Sequence, residues 1–68
     1  MADVKYPDVT VELSTVYSSD KYVAIGRVRI ALQRAHGDKI ADEWRKVGFA
    51  AESFDQILER AREWVTVL

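Results

Sequence analysis

The chain contains no cysteine, one histidine, one proline and no long apolar run. Without cysteine it has neither a disulfide framework nor a thiolate ligand for a metal ion. No apolar run approaches the roughly 20 residues that a membrane-spanning helix needs. The first residues also lack the apolar segment of a signal peptide. These absences favour a cytoplasmic protein with no membrane partner.

Residues with catalytic chemistry are equally scarce. Nucleophilic catalysis needs a nucleophile, a base and a group that orients the base. The single histidine, His36, lies beside Gly37 at an expected helix end, where it interacts favourably with the helix dipole. No calcium-loop spacing and no glycine-rich phosphate loop occurs. We therefore expect no catalytic residues, no metal, no cofactor and no small-molecule substrate, so the protein is predicted not to be an enzyme.

The charge is unevenly distributed along the chain, although the net charge is only −1. Residues 20–46 carry seven Lys or Arg against four Asp or Glu, whereas both flanking segments are acidic. Pairing between helices explains this distribution as well as an anionic ligand does.

The first regular element predicted is a half-buried strand over residues 8–14. Val9, Val11 and Leu13 alternate with polar residues, so the three apolar side chains share one face. Pro7 precedes them, at a position where the missing amide hydrogen removes no bond of the sheet.

A first helix is predicted from a capping segment, Ser18-Ser19-Asp20, to His36, with Gly37 as its C-cap. Gly26 inside this helix is unfavourable relative to alanine, which predicts close packing against another element. The helical period predicts a core face made of Tyr22, Ile25, Val28, Arg29 and Leu32, with Ala35 at its edge.

A second, shorter helix is predicted over residues 39–47, capped by Asp38 and ended by Gly48. Its buried stripe consists of Ile40, Trp44 and Val47.

A third helix is predicted from Ser53, because Ser53 and Gln56 match a capping box. Its apolar stripe consists of Phe54, Ile57, Leu58, Ala61 and either Trp64 or Val65. The β-branched segment 65–68 then predicts a short strand that pairs with the first, in a direction that the sequence leaves open. The fold class is therefore α+β, ordered β-α-α-α-β, with residues 1–68 forming a single domain.

The most informative pattern lies opposite the core face of the first helix. Val23, Arg27, Ile30 and Arg34 recur at i, i+4, i+7 and i+11. Apolar and Arg side chains mixed in this way are typical of protein interfaces. Two interpretations stay open: a contact surface for a partner, or burial of Val23 and Ile30 against the second or third helix.

An alternative partner is nucleic acid, bound by a basic face of the first two helices. The overall acidic balance and the acidic residues Asp42 and Glu43 count against it. The six cations of this alternative face are Arg27, Arg29, Arg34, Lys39, Arg45 and Lys46.

Short motifs spread over most of the chain carry a resemblance to known proteins. They are Tyr6-Pro7-Asp8-Val9-Thr10-Val11-Glu12-Leu13, Ala24-Ile25-Gly26-Arg27-Val28-Arg29, Ala31-Leu32, Arg34-Ala35 and Glu63-Trp64-Val65. The chain resembles a group of small phage and bacterial proteins in which a similar strand precedes a Gly-Asn-Ala-Phe turn, an Ile-Leu-Gly-Arg-Val helix and a closing Trp-Val segment.

The resemblance implies a phage or mobile-element setting in a bacterial host cell, and a compact domain. That group has no established activity, so it supplies no functional residues. The chain departs from it at Ser18-Ser19-Asp20-Lys21, which replaces the turn, at His36, which precedes Gly37, and at Ile30, where a basic residue is common. The last departure favours the contact-surface interpretation.

The functional hypothesis is thus a non-enzymatic binding or accessory protein. It is expected to engage a protein partner, or a second copy as a homodimer, through the exposed face of the first helix. Nucleic-acid binding through the basic middle segment is the alternative.

Overall fold

The computed structural model describes residues 4–13 and 20–68. The elements follow the predicted order, which confirms the α+β class. They are β1 (Tyr6–Val11), α1 (Lys21–His36), α2 (Asp38–Ala50), α3 (Phe54–Trp64) and β2 (Val65–Val67). No helix in these two segments is long and apolar enough to cross a membrane.

The two strands form a parallel pair, which settles the direction that the sequence left open. Thr10 pairs with Thr66 and Val11 with Val67, with a shift in register towards the start of β1. Parallel neighbours need a long crossover connection, and here the three helices lie within it. Val11 is buried on the helical side of the sheet.

β1 covers Tyr6–Val11, whereas the prediction was 8–14, of which Ser14 lies outside the described residues. It begins earlier because the backbone pairing starts at Tyr6, ahead of the proline. Leu13 is buried although it lies beyond the strand, so the predicted apolar face of Val9, Val11 and Leu13 is confirmed.

α1 begins where one of the three capping candidates predicts. Asp20 is the N-cap, and its Oδ1 accepts hydrogen bonds from the backbone N–H groups of Tyr22 (2.9 Å) and Val23 (3.4 Å). Ser18 and Ser19 lie outside the described residues. The helix ends at Gly37, whose φ of 91° is a conformation that favours glycine.

α2 differs from its prediction at both ends. Gly37 serves as its N-cap, so Asp38 is the first helical residue rather than the cap, and its carboxylate accepts a hydrogen bond from Gln33. At the other end the helix continues through Gly48 to Ala50. Gly48 ends nothing: it is buried, and a Cβ built there would lie 2.9 Å from Cγ1 of Ile25. This glycine lets α2 approach α1 closely.

The core is organised around Trp44, which is fully buried. Its Nε1–H donates to the backbone carbonyl oxygen of Ile25 at 3.0 Å, so the ring is tied to the middle of α1. On its other side the ring meets Trp64 edge-on, with centroids 5.8 Å apart. The two partly buried residues of the predicted α2 stripe, Ile40 and Val47, pack at the edge of this core.

The predicted core face of α1 is right at its centre and wrong at its edges. Ile25, Val28 and Leu32 are buried, and Ala24 joins them although it was not predicted. Tyr22 is 61% exposed. Arg29 is half-buried and Ala35 is exposed. The buried face of α1 therefore includes Ala24 and does not include Tyr22.

α3 follows its prediction. The hydroxyl of Ser53 accepts a hydrogen bond from the backbone N–H of Gln56 at 3.3 Å, and the Gln56 side chain accepts one from the N–H of Glu52 at 2.8 Å. The reciprocal bond of the capping box is therefore displaced by one residue. The apolar stripe is confirmed: Ile57, Ala61, Trp64 and Val65 are buried, and Phe54 and Leu58 pack against the core.

Candidate interaction surface

All four residues of the predicted contact stripe lie on the solvent side of α1. Val23 is 42% exposed and Ile30 is 47% exposed. Arg27 and Arg34 are exposed as well. The structure therefore does not bury Val23 and Ile30 against the other helices, which was the competing interpretation. Their role in binding stays a prediction.

Two aromatic side chains extend this surface towards α2. The rings of Tyr22 and Phe49 lie 6.1 Å apart by centroid, and Phe49 is 55% exposed. Lys21 Nζ lies 5.3 Å from the Tyr22 ring, and the Arg45 guanidinium lies 5.7 Å from the Phe49 ring. This is an aromatic pair from two helices, with a cation on each ring.

Sequence reasoning missed the aromatic pair. A helix that ends at Gly48 excludes Phe49, and the helical period places Tyr22 on the core face of α1, so the sequence does not predict that the two rings meet. The available signal was the helical spacing of Asp42, Arg45 and Phe49, which marks a shared exposed side of α2 once the helix is continued past Gly48.

Gly26 lies between Tyr22 and Ile30 on the same side of α1. The prediction that it packs closely against another element fails for the residues that the structure describes, because none of their atoms outside the helix backbone lies within 4 Å of a Cβ built there. The position is open and bare. We give the name outer patch to the surface formed by the partly buried Gly26 and four exposed side chains, those of Tyr22, Val23, Ile30 and Phe49.

Arg27, at the edge of the outer patch, forms a hydrogen bond to the segment that follows β1. Arg27 donates from Nη1 to the backbone carbonyl oxygen of Glu12 at 3.2 Å. This bond spans from α1 to the segment just after β1. It holds the arginine stem along the edge of the patch, where its charge stays exposed.

The alternative basic face is spread around the helices rather than gathered on one side. Arg27 and Arg29 are two residues apart, so they point about 200° apart around α1. Arg29 is half-buried, and its Nε is enclosed without a hydrogen-bond partner. Arg34 and Lys39 are exposed, and Arg45 and Lys46 line a shallow depression on α2 together with Asp42.

The single histidine, His36, contacts two residues of β1. His36 Nε2 lies 3.2 Å from Oδ2 of Asp8, and its ring lies 4.6 Å from the ring of Tyr6 by centroid. These contacts fasten the last turn of α1 to β1. Among residues 4–13 and 20–68, no group of three His, Asp or Glu side chains is placed to hold a metal ion.

Comparison with known protein families, with curated proteins and with solved structures finds no match to this chain.

Proposed function

We propose that the protein is a non-enzymatic binding protein that engages a protein partner, or a second copy of itself, through the outer side of α1. The observation that carries this proposal is the exposure of Val23 and Ile30 on one side of a well-capped helix. Burying exposed apolar side chains against a partner removes them from water, which lowers the free energy of the complex. The neighbouring Tyr22–Phe49 pair enlarges the apolar area available.

The chemistry of the surroundings supports the same proposal. Arg27 and Arg34 border the apolar residues, and arginine is enriched in protein interfaces. The phage or mobile-element setting and the bacterial host cell, which the resemblance implies, belong to this proposal.

The test is an affinity pull-down from nuclease-treated bacterial lysate, with Ile30→Glu as the disrupting variant. Ile30 is half exposed, so the substitution is expected to leave the circular dichroism spectrum and the unfolding midpoint nearly unchanged. A charge at the centre of the surface should abolish capture of the partner.

Leu68→Glu is the matched control, because Leu68 is also an exposed apolar residue, 68% accessible, and it follows β2 rather than lying on α1. It should retain the partner. Capture that survives Ile30→Glu, or an Ile30→Glu protein that no longer folds, would count against the outer side of α1 as the binding surface.

Nucleic acid is the second candidate, and the Tyr22–Phe49 pair favours it because exposed aromatic rings beside cations can stack on unpaired bases. Fluorescence anisotropy with a labelled single strand at low salt tests it. Binding that weakens with salt and is lost in Arg45→Ala would support this candidate. No change in anisotropy would reject it.

A further inference from the structure

We propose that the outer patch is self-complementary and binds a second copy of the chain, with the two α1 helices antiparallel and crossing at Gly26. This inference rests on the proposed function and selects one of its two kinds of partner. Three features of the patch carry it: its symmetry about Gly26, the open glycine itself, and the charges at the two ends of α1.

The apolar residues are evenly placed about Gly26. Tyr22 lies four residues before it and Ile30 four residues after it, so each is about 6 Å from the glycine along the helix axis. A two-fold axis at Gly26 therefore exchanges the two positions. The Tyr22–Phe49 pair of one copy then covers the Ile30 of the other, and the same contact occurs twice.

Gly26 allows the two helices to come close together. The distance between packed helices depends on the side chains at the contact, and a glycine at the crossing point adds none. Within the described part of one chain nothing lies within 4 Å of a Cβ built at this position. The packing of the described residues therefore gives no reason for a glycine that weakens the helix, whereas a close crossing does.

The charges favour the antiparallel direction. Asp20 is exposed at the N-terminal end of α1, and Arg34 is exposed near its C-terminal end. An antiparallel crossing at Gly26 brings Arg34 of one copy to within about 3 Å, along the axis, of the level of Asp20 in the other. A parallel pair would instead align Arg34 with Arg34. Antiparallel helix dipoles add to the same preference.

Sedimentation equilibrium of the purified full chain tests the inference. The wild-type protein is expected to be a dimer at micromolar concentration, and Leu68→Glu should behave in the same way. Ile30→Glu should be monomeric, with at least a tenfold higher Kd. A wild type that stays monomeric up to about 1 mM, or a dimer that persists in Ile30→Glu, would overturn the proposal.

Introduced cysteines test the direction, and they do not depend on the charged variant folding. The chain has no cysteine, so Tyr22→Cys and Ile30→Cys each provide a unique thiol. On mild oxidation, an equimolar mixture of the two variants should form the mixed disulfide in preference to either like pair. Like pairs in excess would indicate a parallel dimer, and no cross-link in either combination would refute the crossing.

The two proposals fail in different ways. If the wild type is monomeric but captures a lysate protein that Ile30→Glu loses, the binding function stands and self-association is wrong. If the protein is monomeric and captures nothing, both fail.

Discussion

The two sides of α1 both carry β-branched residues, and each is associated with a glycine, yet one side is buried and the other is exposed. The inner side packs against a glycine of α2, whereas the outer side includes a glycine of α1 itself. On the inner side, Ile25 packs into the space left by Gly48 of α2, and its carbonyl oxygen accepts the hydrogen bond of Trp44. On the outer side, Ile30 is exposed, and Gly26 is partly buried with no close neighbour among the described side chains. Gly48 has a close neighbour in Ile25, whereas Gly26 has none among the described side chains. Composition alone therefore does not distinguish a buried face of a helix from an exposed one, because the difference depends on which element packs against it.

Substituting Trp44 on the buried side should lower the unfolding free energy far more than substituting a residue on the exposed side. Trp44→Ala deletes the fully buried ring that joins α1, α2 and α3. Large-to-small changes of this kind lower stability by about 3–5 kcal/mol, which is about the whole stability of so small a domain. Urea denaturation followed by circular dichroism should show no folded baseline. Phe49→Ala, which removes an exposed ring, is the control and should change the unfolding free energy by less than about 1 kcal/mol.

Gly48→Ala should have the next largest effect. The added methyl group would lie 2.9 Å from Cγ1 of Ile25, so the α1–α2 contact must open. We expect a net destabilisation of about 1–2 kcal/mol, after the gain in helix propensity, from the urea midpoint. In an Ile25→Ala background the same substitution should be neutral or stabilising, because the methyl group then fills vacated space. Equal effects in both backgrounds would contradict the close contact.

Gly26→Ala should have the smallest effect, and of the opposite sign. The new Cβ meets no described side chain within 4 Å, so replacing glycine by alanine should stabilise the helix by about 0.5–1 kcal/mol. The measurement is the unfolding free energy at a concentration low enough for monomers, since association would otherwise contribute. The same variant should raise the dimer Kd. A variant that is less stable as a monomer would show that Gly26 is needed within one chain.

Much of the fold follows from local patterns. Alternation at Val9, Val11 and Leu13 predicted the buried strand face, and Ser53 with Gln56 predicted the start of α3, because both signals act over a few residues. The element order and the α+β class follow from such signals. The parallel direction of β1 and β2 does not, since it depends on how three helices stack between them.

The candidate surface was predictable in part. The spacing of Val23 and Ile30 was visible in the sequence, but their exposure depended on where α2 packs. Gly37 is the C-cap that a local pattern predicts, but the roles of Gly26 and Gly48 are not predictable in this way. The close neighbour belongs to Gly48 and not to Gly26, and a local pattern does not indicate which residue of another helix will lie opposite. Continuing α2 past Gly48 also brought Phe49 beside Tyr22.

The pairing of β1 with β2 has a consequence for how the chain folds during synthesis. Thr10 pairs with Thr66, and the N–H of Lys5 bonds to the carbonyl oxygen of Glu63 at 3.0 Å. Within residues 4–13 and 20–68, β1 therefore gains its strand partner only when Val67 has been synthesised. Contacts so distant in sequence form slowly, so we expect the pairing of β1 with β2 to be among the last steps of folding, after α1, α2 and α3 have been synthesised.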